Sequence, residues 1–235
     1  MAVLAEEMGS FMSTIVKVAS IVAAFAWLAF AADAHAGQEF PPPQGKGRIV
    51  MMASGMSGPD HYTQVAKDIA ALGYDVVLFD GNAMEGTHGA GVVSAMQEAA
   101  QAPHGLPGKM ALVGFSLGGG MVLYYGAQHS DVAAGAVVWY PANAFIKDAP
   151  GFAGRLAMPL VMFAGEADHY RDGCCTADKD RELAAAAIAA GKSVELTTYP
   201  GADHDFVKGG AHYQPKAYAD ALQKTATALK AYFGE

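Results

Sequence analysis

The chain has 235 residues, a formal net charge of −8 and 52% hydrophobic residues, and only 16% of its residues are charged. This composition excludes a disordered or fibrous protein and supplies enough apolar side chains for the core of one domain. The acidic balance and the absence of a basic cluster argue against nucleic acid or an anionic membrane surface as a partner.

Residues 1–36 have the pattern of a secretory signal peptide. Lys17 precedes an uncharged apolar run at 18–32, and Ala34-His-Ala36 has the small-x-small pattern that signal peptidase cleaves. The run is shorter than the roughly 20 apolar residues that span a bilayer. We therefore expect an exported protein, periplasmic or secreted, with no stable membrane span after cleavage. An N-terminal membrane anchor is the alternative.

A proline-rich leader at 37–47 is predicted to be an extended linker into a single domain at 48–235. In that domain, short apolar runs alternate with segments of helical length. Strands are predicted at 48–54, 74–80, 109–115, 133–140, 159–165 and 193–199. Helices are predicted at 59–72, 89–101, 117–128, 176–190 and 215–233. The pattern indicates an α/β fold, with a mostly parallel sheet, helices on both faces and no large lid.

The pentapeptide Gly114-Phe-Ser-Leu-Gly118 lies between a predicted strand and a predicted helix. This is the G-x-S-x-G pattern in the strand–turn–helix setting that presents a nucleophilic serine. The glycines leave room for a sharp turn in which the serine takes a strained backbone conformation. Because the chain contains 28 glycines, the pentapeptide alone is a weak signal. Its meaning depends on partners elsewhere in the chain.

Two later strand ends supply those partners in the order serine, acid, histidine that this architecture uses. Asp168 follows the fifth predicted strand, and His204 lies in the loop after the last one. Glu166 and Asp172 are the alternatives for the acid, but Asp168 directly follows the turn that ends the strand. These positions favour a triad of Ser116, Asp168 and His204.

The residue types assign the roles. Ser116 is the predicted nucleophile, His204 takes and returns its proton, and Asp168 fixes the orientation of the imidazole. The backbone N–H groups of Leu117 and Met56 are predicted to bind the developing oxyanion. We expect neither a cofactor nor a metal ion in this scheme, because the chain has no CxxC or His–Cys ligand spacing.

Five further residues lie in loops or strand ends where open α/β sheets bind ligands. As substrate-pocket candidates, each of which could equally be a core residue, we name Tyr140, Phe145, His169, Tyr170 and Phe206. The other histidines of the domain are expected in loops or on the surface. Asp203 and Asp205 are expected to face solvent or to cap the turn around His204.

The two cysteines of the chain, Cys174 and Cys175, are adjacent. Consecutive Cα atoms lie about 3.8 Å apart, below the usual disulfide range of roughly 4.4–6.8 Å. Two free thiols are therefore the favoured expectation, and a bridge between neighbours is the alternative.

Three segments together resemble motifs of the dienelactone hydrolase family of α/β-hydrolases: Gly114–Gly119, Gly165–Asp168 and Tyr199–Phe206. The resemblance extends over 48–233 and implies a compact fold with little lid, which cleaves esters or lactones without a cofactor. The dienelactone hydrolases proper carry cysteine as the nucleophile, whereas position 116 is serine. The arginines that those enzymes direct at a substrate carboxylate are not matched. The resemblance therefore favours a serine esterase on the same scaffold.

The leading hypothesis is a serine hydrolase that acts on a small-molecule carboxylic ester or lactone. A thioesterase or acyltransferase would use the same triad with a different substrate or acceptor. A hydrolase-like scaffold that only binds its ligand is the alternative outside enzymes, although fold alone would not require all three triad residues. The sequence gives no indication of oligomeric state.

Overall fold

A seven-stranded sheet organises residues 37–235, the part of the chain that this computed structural model describes. The predicted signal peptide lies outside these residues. The strands are β1 Gln38–Phe40, β2 Gly47–Ala53, β3 Asp75–Phe79, β4 Gly105–Phe115, β5 Ala133–Trp139, β6 Leu160–Gly165 and β7 Val194–Tyr199. They lie in the order β1-β3-β2-β4-β5-β6-β7. β1 runs antiparallel to β3, and every other neighbouring pair is parallel.

Helices cover both faces of this sheet. Within residues 37–235 they are α1 Pro59–Ala70, α2 Ala90–Ala99, α3 Ser116–Tyr124, α4 Ala149–Arg155, α5 Ala177–Ala189 and α6 Pro215–Phe233. A separate helical turn spans Tyr170–Gly173. Residues of α1 and α6 form one core with one sheet face, and residues of the other four helices form a second core with the opposite face. The predicted α/β fold, with a mostly parallel sheet and helices on both faces, is confirmed, and no large lid is present in the described residues.

The apolar runs of the sequence correspond to strands that helices cover on both sides. All five residues of β3 and all six of β6 are buried. Strands with two buried faces lose the alternation of polar and apolar residues that a half-exposed strand shows. This explains why continuous apolar runs were sufficient to predict these elements.

Strand β1 and helix α4 were not predicted, and β4 begins at Gly105, four residues before the predicted strand. Residues 38–40, expected to belong to a linker, form β1 and pair with Val76, Val77 and Leu78 of β3. Three residues are too few for a periodic pattern, so the leader gave no strand signal. Helix α4 was also not predicted, because it has only seven residues and two of them are glycines. Among residues 37–235, no helix combines the length and the hydropathy needed to cross a bilayer.

The topology brings the predicted site residues to one edge of the sheet. Strands β4, β6 and β7 are parallel, so their carboxyl ends lie on the same side. Ser116 follows β4 directly, Asp168 comes shortly after β6, and His204 lies in the loop after β7.

Candidate active site

Ser116 occupies the sharp turn between β4 and α3. Its φ of 49° lies in the left-handed region, a conformation that costs a non-glycine residue about 1–3 kcal/mol. The turn is held against the loop after β2, because the Gly118 N–H donates a 3.1 Å hydrogen bond to the Ser54 carbonyl. The Ser54 hydroxyl in turn accepts a hydrogen bond from the Gly81 N–H at 3.1 Å. The serine is therefore presented in one fixed direction.

His204 connects Ser116 to Asp168. The Ser116 Oγ lies 2.9 Å from His204 Nε2, and His204 Nδ1 lies 2.7 Å from Asp168 Oδ2. The carboxylate accepts the Nδ1 proton, which leaves Nε2 free to accept the serine proton. The exposed fractions are 5% for Ser116, 6% for His204 and 2% for Asp168. Little water therefore competes for these hydrogen bonds.

Two tyrosines restrict the imidazole of His204. The Tyr170 ring stacks on it with centroids 4.3 Å apart and an interplanar angle of 3°. Tyr140 contacts it edge-on, with centroids 4.9 Å apart. The Tyr170 N–H also donates a 3.0 Å hydrogen bond to Asp168 Oδ1. Tyr170 thus contacts both the histidine and the acid, which limits the rotation of each.

Asp205, the residue after His204, is held by hydrogen bonds with three other residues. Asp205 has a φ of 63°, and both of its carboxylate oxygens lie 3.0 Å from Nε2 of His61. It also accepts hydrogen bonds from the Ala211 N–H at 3.1 Å and from the Tyr140 hydroxyl at 3.4 Å. Burial, together with neighbouring Asp205, raises the pKa of Tyr140 well above its ordinary value. Tyr140 therefore remains a neutral hydrogen-bond donor at physiological pH.

The loop that carries Asp168 is held by hydrogen bonds from a neighbouring loop. The Cys174 carbonyl accepts hydrogen bonds from the Asn143 and Ala144 N–H groups at 2.9 and 3.0 Å. Asn143 also donates from its side-chain amide to Asp180, at 2.8 Å. Cys174 and Cys175 form a disulfide, so the expectation of two free thiols is wrong in this structure. This framework holds the segment on which Tyr170 lies.

A cleft of about 170 Å³ opens beside the serine. Its lining residues are Met56, Ser57, Tyr62, Ser116, Tyr170, His204, Asp205, Ala211 and His212. Met56 and Tyr170 are 36% and 38% exposed, so the cleft is open to solvent at these residues. Within residues 37–235, neither the Met56 nor the Leu117 N–H donates a hydrogen bond to another protein group. Both groups are available to an oxyanion.

The family model described as the dienelactone hydrolase family matches residues 2–233. The chain belongs to the dienelactone hydrolase family. A curated protein of Azospirillum brasilense, named as a candidate carboxymethylenebutenolidase, is 34% identical over 85 residues. That alignment covers 36% of this chain and about a third (35%) of the relative.

Solved structures confirm the fold of this family member. A candidate dienelactone hydrolase from Klebsiella pneumoniae superposes with a TM-score of 0.66 at 21% identity, covering 86% of this chain and all of that one. A dienelactone hydrolase-like promiscuous phosphotriesterase from metagenomic libraries has a TM-score of 0.69 at 17% identity, with 83% and 92% covered. Esterase 2 of Thermogutta terrifontis, phosphorylated by paraoxon, has a TM-score of 0.62 at 16% identity, with 82% and 87% covered.

Four of the five predicted pocket residues do not line the cleft of this family member. Tyr140 and Phe206 are fully buried beneath it, where Phe206 packs on Trp139 in the core. Phe145 packs against Tyr124 of α3 and is not among the residues that line the cleft. His169 is exposed and precedes the helical turn that begins at Tyr170. Tyr170 alone among the five lines the cleft.

Several cleft residues gave no signal in the sequence. Asp205 was expected to face solvent or cap a turn, and His61 and His212 were expected to be surface or loop residues. The structure pairs Asp205 with His61 and places Asp205 in the cleft wall, whereas His212 is an exposed loop residue, as expected, that also lines the cleft. His61 and Asp205 lie 144 residues apart, so only the folded chain brings them together. Tyr62 belongs to the buried face of its helix, where it serves as a core residue. The sequence pattern therefore gave no indication that it also lines the cleft.

The sharp turn between β4 and α3 provides a stability test with a matched control. A Cβ at Gly118 would overlap the carbonyl oxygens of Ala53 and Ser54, which are backbone atoms and cannot rotate away. We expect Gly118→Ala to lower the free energy of unfolding by about 2–3 kcal/mol in urea denaturation. Gly154 lies in α4, and no atom is within 4 Å of the place that a Cβ would occupy there. Gly154→Ala should therefore raise stability by about 0.5–1 kcal/mol, and equal losses in both variants would contradict the argument.

Proposed function

We propose that this protein hydrolyses carboxylic esters or lactones through an acyl-enzyme on Ser116. The observation that carries the proposal is the continuous hydrogen-bonded series from Ser116 through His204 to Asp168, at 2.9 and 2.7 Å, beside an open cleft. Family membership supports ester chemistry, and relatives with the same fold are named as esterases. Serine at position 116 favours an esterase over the cysteine-dependent cleavage of dienelactone.

The residues define the proposed steps. As Ser116 Oγ attacks the ester carbonyl carbon, its proton moves to Nε2 of His204. The carbonyl oxygen becomes an oxyanion, which the Met56 and Leu117 N–H groups bind. The tetrahedral intermediate then collapses, the bond to the alcohol oxygen breaks, and His204 gives that oxygen its proton. Asp168 stabilises the imidazolium between these transfers and does not itself become protonated.

Water completes the cycle. A water molecule donates a proton to Nε2 of His204 as its oxygen attacks the acyl carbon, and the new oxyanion uses the same two N–H groups. Collapse releases the carboxylic acid, and Ser116 recovers its proton from His204. Because each proton that leaves one oxygen returns to another through the imidazole, the scheme needs no cofactor.

The size of the cleft predicts a preference for short acyl groups. Its volume of about 170 Å³ is below the roughly 300–1,000 Å³ of pockets that enclose drug-sized ligands. We expect kcat/KM for p-nitrophenyl acetate or butyrate to exceed that for the dodecanoate by at least about tenfold. A series of p-nitrophenyl esters, with small lactones and thioesters assayed beside it, measures this preference and identifies the favoured bond.

Phe145→Ala supplies the matched control for this series. Phe145 was a pocket candidate in the sequence, but its ring packs on Tyr124 and does not line the cleft. Its removal should leave the chain-length preference unchanged. A steady rise in kcat/KM with acyl length would contradict the proposed binding mode.

We also propose that the enzyme is exported. The apolar run and the Ala34-His-Ala36 pattern support this, and a disulfide is more common in oxidising compartments than in the cytosol. Edman sequencing of the mature protein should begin at Gly37. An intact N-terminus on protein recovered from the membrane fraction would favour the anchor instead.

A further inference from the structure

A second cluster of ionisable side chains lies at the end of the sheet opposite Ser116. Asp75 is the first residue of β3, Glu39 lies in β1, and His104 lies in the loop before β4. Each offers one carboxylate oxygen or ring nitrogen, and these three atoms all lie within 4.8 Å of one another. The proposed ester hydrolysis uses none of them.

Asp75 is the least explained member of the cluster. Its exposed fraction is 0%, and within residues 37–235 neither carboxylate oxygen has a hydrogen-bond partner. A buried carboxylate without a partner is costly, and native structures leave few such groups unpaired. One of these oxygens lies within 4.8 Å of a ligand atom of Glu39 and of one of His104, so the unpartnered carboxylate is part of the cluster.

Glu39 is already held in place at this cluster. Its Oε1 accepts hydrogen bonds from the backbone N–H of His104 and from ring atom Nδ1, both at 3.1 Å. The backbone bond fixes the carboxylate independently of the ring, so Nδ1 can turn to another partner without releasing Glu39. The side chains of His104 and Glu39 are 48% and 24% exposed. A solute can therefore reach the cluster from solvent.

The charges of the cluster do not balance. Two carboxylates face one histidine, which can carry at most a single positive charge, and Lys46, the nearby cation, forms no ion pair within residues 37–235. Two carboxylate charges this close together, one of them on the buried Asp75, are destabilising unless a proton or a cation lies between them. A divalent cation would cancel both charges and supply the partner that the Asp75 oxygens lack.

We propose that Glu39, Asp75 and His104 form a divalent-cation site. The ligands are one imidazole nitrogen and two carboxylate oxygens, with water completing the coordination. Three ligands of this mixed kind suit Zn²⁺. Ca²⁺ is disfavoured because it takes six to eight oxygen ligands. An ion bound there would join the edge strand β1 to β3 and to the loop before β4, at the end of the sheet opposite Ser116.

The test uses the full-length protein stripped with EDTA and then dialysed free of chelator at pH 7.5. Isothermal titration calorimetry with ZnCl₂ should give one Zn²⁺ per chain. Scanning calorimetry should show Tm rising by about 5–10 °C when free Zn²⁺ exceeds Kd by a hundredfold. Hydrolysis of p-nitrophenyl acetate should be the same before and after EDTA treatment, because the site is remote from Ser116.

Asp75→Asn is the decisive variant, and His129→Gln is its control. Asparagine keeps the shape of the side chain and removes one of two repelling charges, so the metal-free variant should fold with a Tm at least equal to that of the parent. It should lose the Zn²⁺-dependent rise in Tm. His129 is a histidine outside the cluster, so its replacement should leave the rise intact. Glu39→Gln should weaken Zn²⁺ binding at least tenfold.

The outcomes separate the two possible occupants of the cluster. A parent protein with no Zn²⁺-dependent change in Tm would overturn the proposal and leave a proton between the two carboxylates as the alternative way to neutralise them. A Zn²⁺ response that persists in Asp75→Asn would place the ion elsewhere and would also overturn it. Loss of the response in Asp75→Asn and retention in His129→Gln would support the site.

Discussion

Ser116→Ala will abolish covalent labelling by a fluorophosphonate probe and lower kcat for p-nitrophenyl acetate by at least about 10⁴-fold. The Ser116 Oγ, 2.9 Å from His204 Nε2, is the atom positioned to attack phosphorus or a carbonyl carbon. In the proposed mechanism, the variant keeps the cleft and the two N–H groups, but it has no hydroxyl with which to form an acyl-enzyme. Intact-protein mass spectrometry of the labelled enzyme and steady-state kinetics measure the two effects.

A serine outside the site provides the control. Ser130 lies in a surface loop, where its backbone carbonyl, not its hydroxyl, accepts a hydrogen bond from Lys109. Ser130→Ala should retain both labelling and kcat. If the probe still labels Ser116→Ala to full stoichiometry, another residue is the nucleophile and the proposed mechanism is incorrect.

Asp168→Asn will lower kcat by about 10⁴-fold with little change in the overall fold. The carboxylate accepts the Nδ1 proton of His204 at 2.7 Å and the Tyr170 N–H at 3.0 Å. An asparagine that keeps the bond from Tyr170 turns its amide nitrogen, a donor, toward His204. The imidazole then carries its proton on Nε2 and cannot accept the proton of Ser116. Kinetics at saturating substrate and circular dichroism test both parts of the prediction.

Glu166 is the matched control for the acid, since the sequence left it open as an alternative. The structure directs its carboxylate to the surface, where it accepts a hydrogen bond from Thr198 at 2.7 Å and pairs with Arg181 at 2.6 Å. Glu166→Gln should keep kcat within about twofold, because an exposed ion pair contributes only about 0–1 kcal/mol to stability. Loss of activity in Glu166→Gln with retention in Asp168→Asn would reverse the assignment.

The sequence predicted those parts of the fold and the site that depend on the order of elements along the chain. Gly114–Gly118 lies between an apolar strand and a helix, and a strand–turn–helix unit forms from neighbouring residues. Asp168 and His204 could be placed near Ser116 because carboxyl ends of parallel strands share one edge of the sheet. The same reasoning predicted the sheet, its covered faces and the absence of a large lid.

The residues around the triad could not be placed in this way. Phe206 and Tyr170 both lie near catalytic positions in the sequence, yet one is in the core and the other lines the cleft. Which of them faces a ligand depends on loop conformation, and loops have no period that reveals a buried side. The pairing of His61 with Asp205 is equally invisible, since it joins the loop after β7 to a helix far away in the chain.

The short strand β1 changes which strand forms the outer edge of the sheet. The two outer strands of the sheet would otherwise differ sharply, since β7 carries Glu195, Thr197 and Thr198, whereas β3 is apolar after Asp75. An exposed apolar edge strand offers unpaired N–H and C=O groups to other chains and promotes edge-to-edge association. Residues 38–40 pair with β3 and cover that edge. Because β1 pairs with β3, residues 38–40 keep the apolar β3 from being the outermost strand of the sheet, and we expect their removal to lower solubility before it lowers activity.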